Sequence, residues 1–360
     1  MEQFNSAKVK TQTKYWCFWR RPSIFIAASV FLILGLWTVY WLVVAEILRS
    51  TIDDWITEHN QHGIAIRYAK LKISGYPFWF KFRMENIDVL IESAVKREWR
   101  SHVVKAKIRP WQPSKIFLDF SGQHKLTGPP RIAFAARKLQ AVIIIEDRGS
   151  WSAVFEGEGM NADFFQFGGL SARNAAVKLD WFDDSSTHRE SPFRINFGLN
   201  LLKVPVAWAF PLGREVTNFN LVAHIEGPIR PLSGVNGIVQ WRDNGGILDL
   251  TNISVNYGPL KLDGDGTFAL DGNLQPIGAL TLRLEGFMEA ADTLLKRSII
   301  DIGQAMALKL ILAALSSQST RKANRIHVPI TLQNRQLALE SFNLIKLPKI
   351  DWSRILKRMK

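Results

Sequence analysis

The sequence holds a single cysteine, Cys17, so beyond the N-terminal tail no thiol is available for a disulfide, a metal cluster or a nucleophile. It also lacks the spaced motifs of the common chemistries: a Walker lysine loop, a GxSxG elbow, a GxGxxG element and an HExxH pair are all missing. Of the histidines, only His59 and His62 stand close enough to share an ion on one helical face, and no cysteine or paired glutamate accompanies them. A solvated helix end accounts for them better. Asp263-Gly264-Asp265-Gly266 opens like a calcium loop but misses the later ligands and the closing glutamate, which leaves a tight turn or bulge as its reading. These absences point away from an enzyme and predict no cofactor and no metal. A hydrolase assembled from residues distant in sequence has no nucleophile motif behind it.

Residues 63–360 also contain no Pro/Ser-rich linker and no strict repeat. Long helical patterns do not alternate with strands, which disfavours a doubly wound sheet and its nucleotide crevice. Apolar residues at 47% and charged residues at 22% are ordinary globular usage, which argues against disorder and against a many-spanning transporter.

One long uncharged run is present. Ile24 to Ala45 reads IFIAASVFLILGLWTVYWLVVA, close to the ~20 residues that cross a bilayer as a helix. Trp37, Tyr40 and Trp41 sit toward its far end, as interfacial aromatic rings do. Lys8, Lys10, Lys14, Arg20 and Arg21 precede it, whereas Glu46, Asp53 and Asp54 follow. The positive-inside bias therefore predicts a cytoplasmic tail at 1–22, an anchor at 23–45 and the bulk of the chain outside the cytoplasm. The apolar run exceeds a secretory h-region of roughly 7–15 residues, so it reads as an uncleaved anchor.

Past the anchor, Leu48, Ile52, Trp55 and His59 recur at helical spacing, predicting an amphipathic stalk at 46–62. The period then becomes two. Ile195/Phe197/Leu199/Leu201, Phe219/Leu221/Ala223/Ile225 and Ile326/Val328/Ile330/Leu332 alternate with polar or small residues, as half-buried strands do. The same alternation appears at Trp151/Ala153/Phe155, Ile253/Val255/Tyr257 and Leu280/Leu282/Leu284. The expected class is mainly β (α+β): a transmembrane helix followed by a large curved antiparallel sheet over 63–360. The hydrophilic stretch 183–190 is the candidate internal boundary. Residues 94–130 lack clean alternation, which leaves a continuous groove through them open.

A helical stripe, Ala291, Leu295, Ile299, Ile302, Met306 and Leu310, predicts one long helix over 288–315 that packs on the sheet or touches a membrane. The net charge of +14 suggests an anionic partner. Lys81 and Arg83, outward-facing in alternation with Phe80 and Phe82, are candidate contacts for lipid headgroups. So are Arg354, Lys357 and Arg358 in the basic C-terminal segment around Ile350 and Trp352, whose bland alternative is a solvated tail. An outward-facing domain predicts no nucleic-acid partner.

Ile73-Ser74-Gly75-Tyr76-Pro77-Phe78 resembles the alphaproteobacterial family called domain of unknown function 2125. So do Leu262 to Asp271, Gln275-Pro276-Ile277-Gly278, Leu280 to Gly286 and the closing Leu344 to Pro348. The resemblance implies a periplasmic domain on a bacterial inner membrane. Its layout is similar in style to AsmA-like envelope proteins, which implies the handling of lipids. Gly75, Tyr76, Pro77 and Phe78 read as a structural turn, with Tyr76 and Phe78 expected to anchor it in a core. The expected function is the binding or sheltering of lipid-like molecules in envelope maintenance; the alternative is a non-enzymatic scaffold that holds an envelope protein partner.

Overall fold

The computed structural model describes residues 22–61, 64–91, 96–128, 131–165, 168–182, 192–208, 210–227, 235–317, 326–339 and 342–353. The N-terminal tail, the 183–190 stretch, His62 and the predicted contacts Arg354, Lys357 and Arg358 lie outside them. The chain divides into two compact units, one through Thr51 and one from Ile52 onward.

Helix α1 runs from Pro22 to Gln61. It contains one segment long and apolar enough to cross a membrane, and only 6% of that apolar window is buried, unlike the core helix of a globular protein. Within the second unit, Ile56 is buried and Ile52 half-buried, whereas Trp55, expected on the same stripe as Ile52, is 50% exposed.

The second unit is a long antiparallel sheet. Its strands are β1 Ile64–Arg67, β2 Lys70–Ser74, β3 Phe80–Ile91, β4 Arg97–Arg109, β5 Gln112–Asp119 and β6 Gly122–Thr127. Next come β7 Ile132–Ile145, β8 Trp151–Phe164, β9 Gly168–Trp181, β10 Phe193–Lys203, β11 Glu215–Glu226 and β12 Ile247–Tyr257. The last are β13 Leu260–Leu270, β14 Pro276–Glu285, β15 Ile326–Gln333, β16 Gln336–Leu339 and β17 Phe342–Lys346. Three helices interrupt the series: α2 Val235–Asp243, α3 Phe287–Lys296 and α4 Ile302–Ser317. From β7 to β17 every strand pairs with its neighbour in sequence. At the other end β1 and β2 lie end to end along β3, and β5 and β6 together fill the row between β4 and β7.

The irregular reading of 94–130 has a simple cause. On β4 the apolar positions switch faces: Val104, Ala106 and Ile108 point one way, while Trp99 and the buried Ser101 point the other. A period-two pattern read along the strand cancels at that switch.

Of the two readings of Asp263-Gly264-Asp265-Gly266, turn or bulge, the structure has the bulge. The segment lies inside β13, opposite a register shift of β12 between Leu250 and Ile253. Glycine is required there by close approach: a Cβ on Gly266 would meet the Ala279 carbonyl at 2.3 Å, and one on Gly264 would meet the Leu282 side chain at 2.6 Å.

The predicted single helix over 288–315 is two helices. Ser298 adopts φ 56°, and the N–H groups of Ile299 and Ser298 return to the Leu294 and Leu295 carbonyls at 3.0 and 2.9 Å, a Schellman closure of α3. Asp301 and Gln304 then exchange side chain-to-backbone bonds at 2.7 and 3.0 Å, a capping box that starts α4. The packing face also differs from the expected stripe. Leu312 and Ala305 are buried, Leu312 and Phe287 joining Leu282, Ile326 and Val328 in the core cluster. Ile302, Met306 and Leu310 point outward at 69%, 66% and 71% exposure. A helix apolar on nearly all sides carries no unique stripe, and the α3 break sets which side meets the sheet.

Candidate functional site

In an antiparallel sheet, directly opposed residues share a face, so the pairing register extends one face from strand to strand. One such row starts at Phe82 and passes through Ala106, Leu118, Ala141, Phe155, Val177, Phe197, Leu221, Ile253, Gly264 and Leu282 to Val328. Every member is apolar. The adjacent row, from Phe80 through Ile108, Ile116, Ile143, Ala153, Leu179, Ile195, Ala223, Leu250, Gly266 and Leu280 to Ile330, is apolar as well. At about 4.8 Å per strand, twelve strands' width makes a stripe on the order of 50 Å long.

What covers this stripe changes along it. Under α3 and α4, Leu282, Ile326 and Val328 are buried in the core cluster. From β8 to β12, Phe155, Val177, Phe197, Leu221 and Ile253 remain only half-buried, their rings and methyls packed on neighbours such as the Phe197–Phe219 pair at 5.6 Å. Among the described residues the helices thus cover one end and leave the middle of the face half-buried.

The stripe is bordered at one side by an apolar cavity of about 470 Å³. Its floor is Trp181, Phe193, Ile225, Leu248, Phe268 and Pro276 from β9 to β14; its cover is Ile238 and Trp241 of α2 with Ile350 and Trp352. Both indole N–H groups of its cover have partners. Trp241 Nε1 donates to the Glu226 carbonyl at 2.8 Å, and Trp352 Nε1 donates to the Leu274 carbonyl at 2.6 Å. Ile350 and Trp352, expected in a membrane-lying or solvated tail, instead close this cavity, held by the buried Gln275.

On the other side of the stripe the same face turns polar over β3 to β9. There Asn86, Asp88, Arg100, His102, Lys125 and Asp163 line an open trough of about 920 Å³. Arg100 holds Glu98 at 2.5 Å and Asp88 at 3.3 Å. The Glu98 carboxyl lies below its ordinary value, chiefly through the Arg100 hydrogen bond. The face is thus apolar along its centre and charged along one border. Among the described residues no group of His, Cys, Asp and Glu is disposed to hold a metal ion.

The opposite face of β2 to β5 is basic. Lys81 and Arg83 are exposed there, as the alternation with buried Phe80 and Phe82 predicts, and Lys105 and Lys107 stand opposite them on β4. Together they ring a recess of about 310 Å³. The Gly75-Tyr76-Pro77-Phe78 segment is the β2–β3 turn: Gly75 takes φ 107° and accepts from the Trp79 N–H at 3.0 Å, and a Cβ there would meet the Trp79 carbonyl at 2.7 Å. Tyr76 and Phe78 do not anchor it in a core; they are 47% and 61% exposed, because the turn extends past the last β2–β3 pair, Ser74 and Lys81. Trp79 does the anchoring, with its ring edge-on to Phe117 at 5.9 Å and the Arg109 guanidinium 4.8 Å above it. Alternation alone would have marked Trp79, which shares parity with Lys81, as the side chain that turns onto the basic face.

Among the described residues these features define a protein with one membrane-length apolar helix and a long antiparallel sheet whose apolar face is partly covered. The chain belongs to the family described as an uncharacterized protein conserved in bacteria (DUF2125), whose model matches residues 41–348. No curated protein matches it.

Proposed function

We propose that the protein is a non-enzymatic, membrane-anchored lipid-handling protein whose uncovered apolar face shelters acyl chains outside the cytoplasm. The observation that carries this reading is the apolar row Phe155, Val177, Phe197, Leu221 and Ile253, half-buried from β8 to β12, beside a second apolar row in which Ala153 and Ala223 are buried and Leu179, Ile195 and Leu250 half-buried. Water against such a stripe is unfavourable, and each methylene moved from water onto it gains about 0.8 kcal/mol. Contiguous exposed apolar surface of this extent marks a binding surface in soluble domains. The charge bias around α1 supports a cytoplasmic N-terminus with the sheet outside the cytoplasm, and membership of a bacterial family makes the periplasmic side of an inner membrane the compartment proposed.

The test is native mass spectrometry with lipid extraction on the full chain, exported and purified in mild detergent. Stoichiometric acyl lipid, lost in a Phe197→Asp/Leu221→Asp variant of unchanged circular dichroism, is the expected result. A clean apoprotein, or lipid retained by that variant, overturns the reading. A second reading, a scaffold for an envelope protein partner, is favoured by the outward ridge Ile302, Met306 and Leu310 on α4. It predicts a protein that co-purifies reproducibly and is lost when those side chains are made polar.

A further inference from the structure

We propose that the β2–β3 and β4–β5 turns, with the basic strands behind them, form a docking edge for an anionic bilayer surface. The edge is distinct from the apolar stripe and does not depend on its occupancy. Tyr76, Phe78 and Trp111 project from these two turns at 47%, 61% and 57% exposure. Phe78 and Trp111 meet edge-on with centroids 6.4 Å apart, so the turns present one joined aromatic surface. Neither turn is slack: the Gly75 carbonyl closes the first on the Trp79 N–H, and Trp79 is fixed beneath the Lys107 ammonium and the Arg109 guanidinium. Tyr76, Phe78 and Trp111 keep much of their ring surface in water, and the headgroup level of a bilayer is where such amphipathic and apolar rings partition.

Charge selects the kind of bilayer. Behind the rings, on one face, stand Lys70, Lys72, Lys81, Arg83, Lys105 and Lys107. The carboxylates facing them on the same strands are Glu85 and Asp119, and each is held by one of these cations, Arg83 at 2.7 Å and Lys105 at 3.4 Å. A positive surplus remains, gathered within reach of the turns, and it complements phosphate-bearing headgroups. A free phosphate would fit the recess between Lys81, Arg83, Lys105 and Lys107 but would leave the aromatic edge without a role. A lipid surface engages both.

The experiment places the full chain in phosphatidylcholine nanodiscs and measures its co-flotation with phosphatidylcholine vesicles, with and without phosphatidylglycerol. The expected result is salt-sensitive flotation with the anionic vesicles only. Lys72→Glu/Lys81→Glu and Phe78→Ser/Trp111→Ser, both of unaltered circular dichroism, should each weaken it on the order of tenfold or more. Equal flotation with neutral vesicles, unchanged flotation of both variants, or binding of inorganic phosphate without vesicle binding would overturn the proposal. Lipid content is read separately on the same proteins purified in mild detergent before nanodisc assembly: acyl lipid retained by the edge variants leaves the stripe reading intact, and lipid absent from a wild type that floats tells against the stripe alone.

Discussion

The side-chain amide of Gln275 pairs in both directions with the backbone of Ile350: its Nε2 donates to the Ile350 carbonyl at 3.1 Å, and the Ile350 N–H donates to its Oε1 at 2.9 Å. A buried side chain thus pairs with backbone outside the strands as a neighbouring strand would, and so fastens Ile350 and Trp352 over the apolar cavity. Replacing Gln275 with alanine should destabilise this cover by about 1–3 kcal/mol, since the Ile350 N–H and carbonyl both lose their partner. Hydrogen exchange at Ile350 should accelerate strongly while exchange in β8 and β9 stays unchanged; equal protection in the variant would refute the latch.

The two sides of α4 make opposite predictions. Leu312 lies in the core cluster with Phe287 and Ile326, so Leu312→Ala should cost about 2–5 kcal/mol. Met306→Ala, at an exposed position, should stay within about 0.5 kcal/mol. Urea denaturation followed by tryptophan fluorescence compares them, and comparable losses would mean that α4 packs by its other side.

Leu221 and Leu282 occupy the same apolar row, one uncovered and one beneath the helices. Leu221→Asp should fold, because water reaches the new carboxylate. Leu282→Asp should express poorly or unfold, since it buries an unpaired charge. Yield and melting temperature discriminate the two.

Acid should loosen the strands near the polar trough. Glu98 and Glu85 lie below their ordinary values, held by hydrogen bonds from Arg100 and Arg83 respectively. A carboxyl lowered by folding contributes stability above its unfolded pKa and loses it as pH falls through the folded one. The stability difference between wild type and Glu98→Gln should therefore be present at neutral pH and shrink on the acid side of the ordinary glutamate range. A difference that is constant with pH would contradict the pairing.

Where one face of a strand is apolar throughout, as at Ile195/Phe197/Leu199 or Ile326/Val328/Ile330, alternation alone located the strand and its inward side. It failed where two effects overlap. On β4 the apolar side switches between Ser101 and Val104, so the pattern cancels although the strand is thirteen residues long. The α3–α4 break rests on Ser298 in a left-handed conformation that glycine would have announced and serine does not. Tyr76 and Phe78 read as core anchors because aromatic residues usually are; only the position of the last β2–β3 pair reveals that their turn overhangs the sheet. The stripe itself is a property of register, and register links residues that no single-strand pattern connects.

From β7 to β17 each strand's partner is the next strand in the chain, so the sheet grows by a local rule and has no closure condition to satisfy. Inserting or deleting one hairpin would lengthen or shorten the apolar face by about 10 Å and leave every other pairing in place. Such a ribbon can be resized by small duplications during evolution, much as a solenoid gains or loses repeats, and chain length then becomes the variable that sets how long the apolar face is.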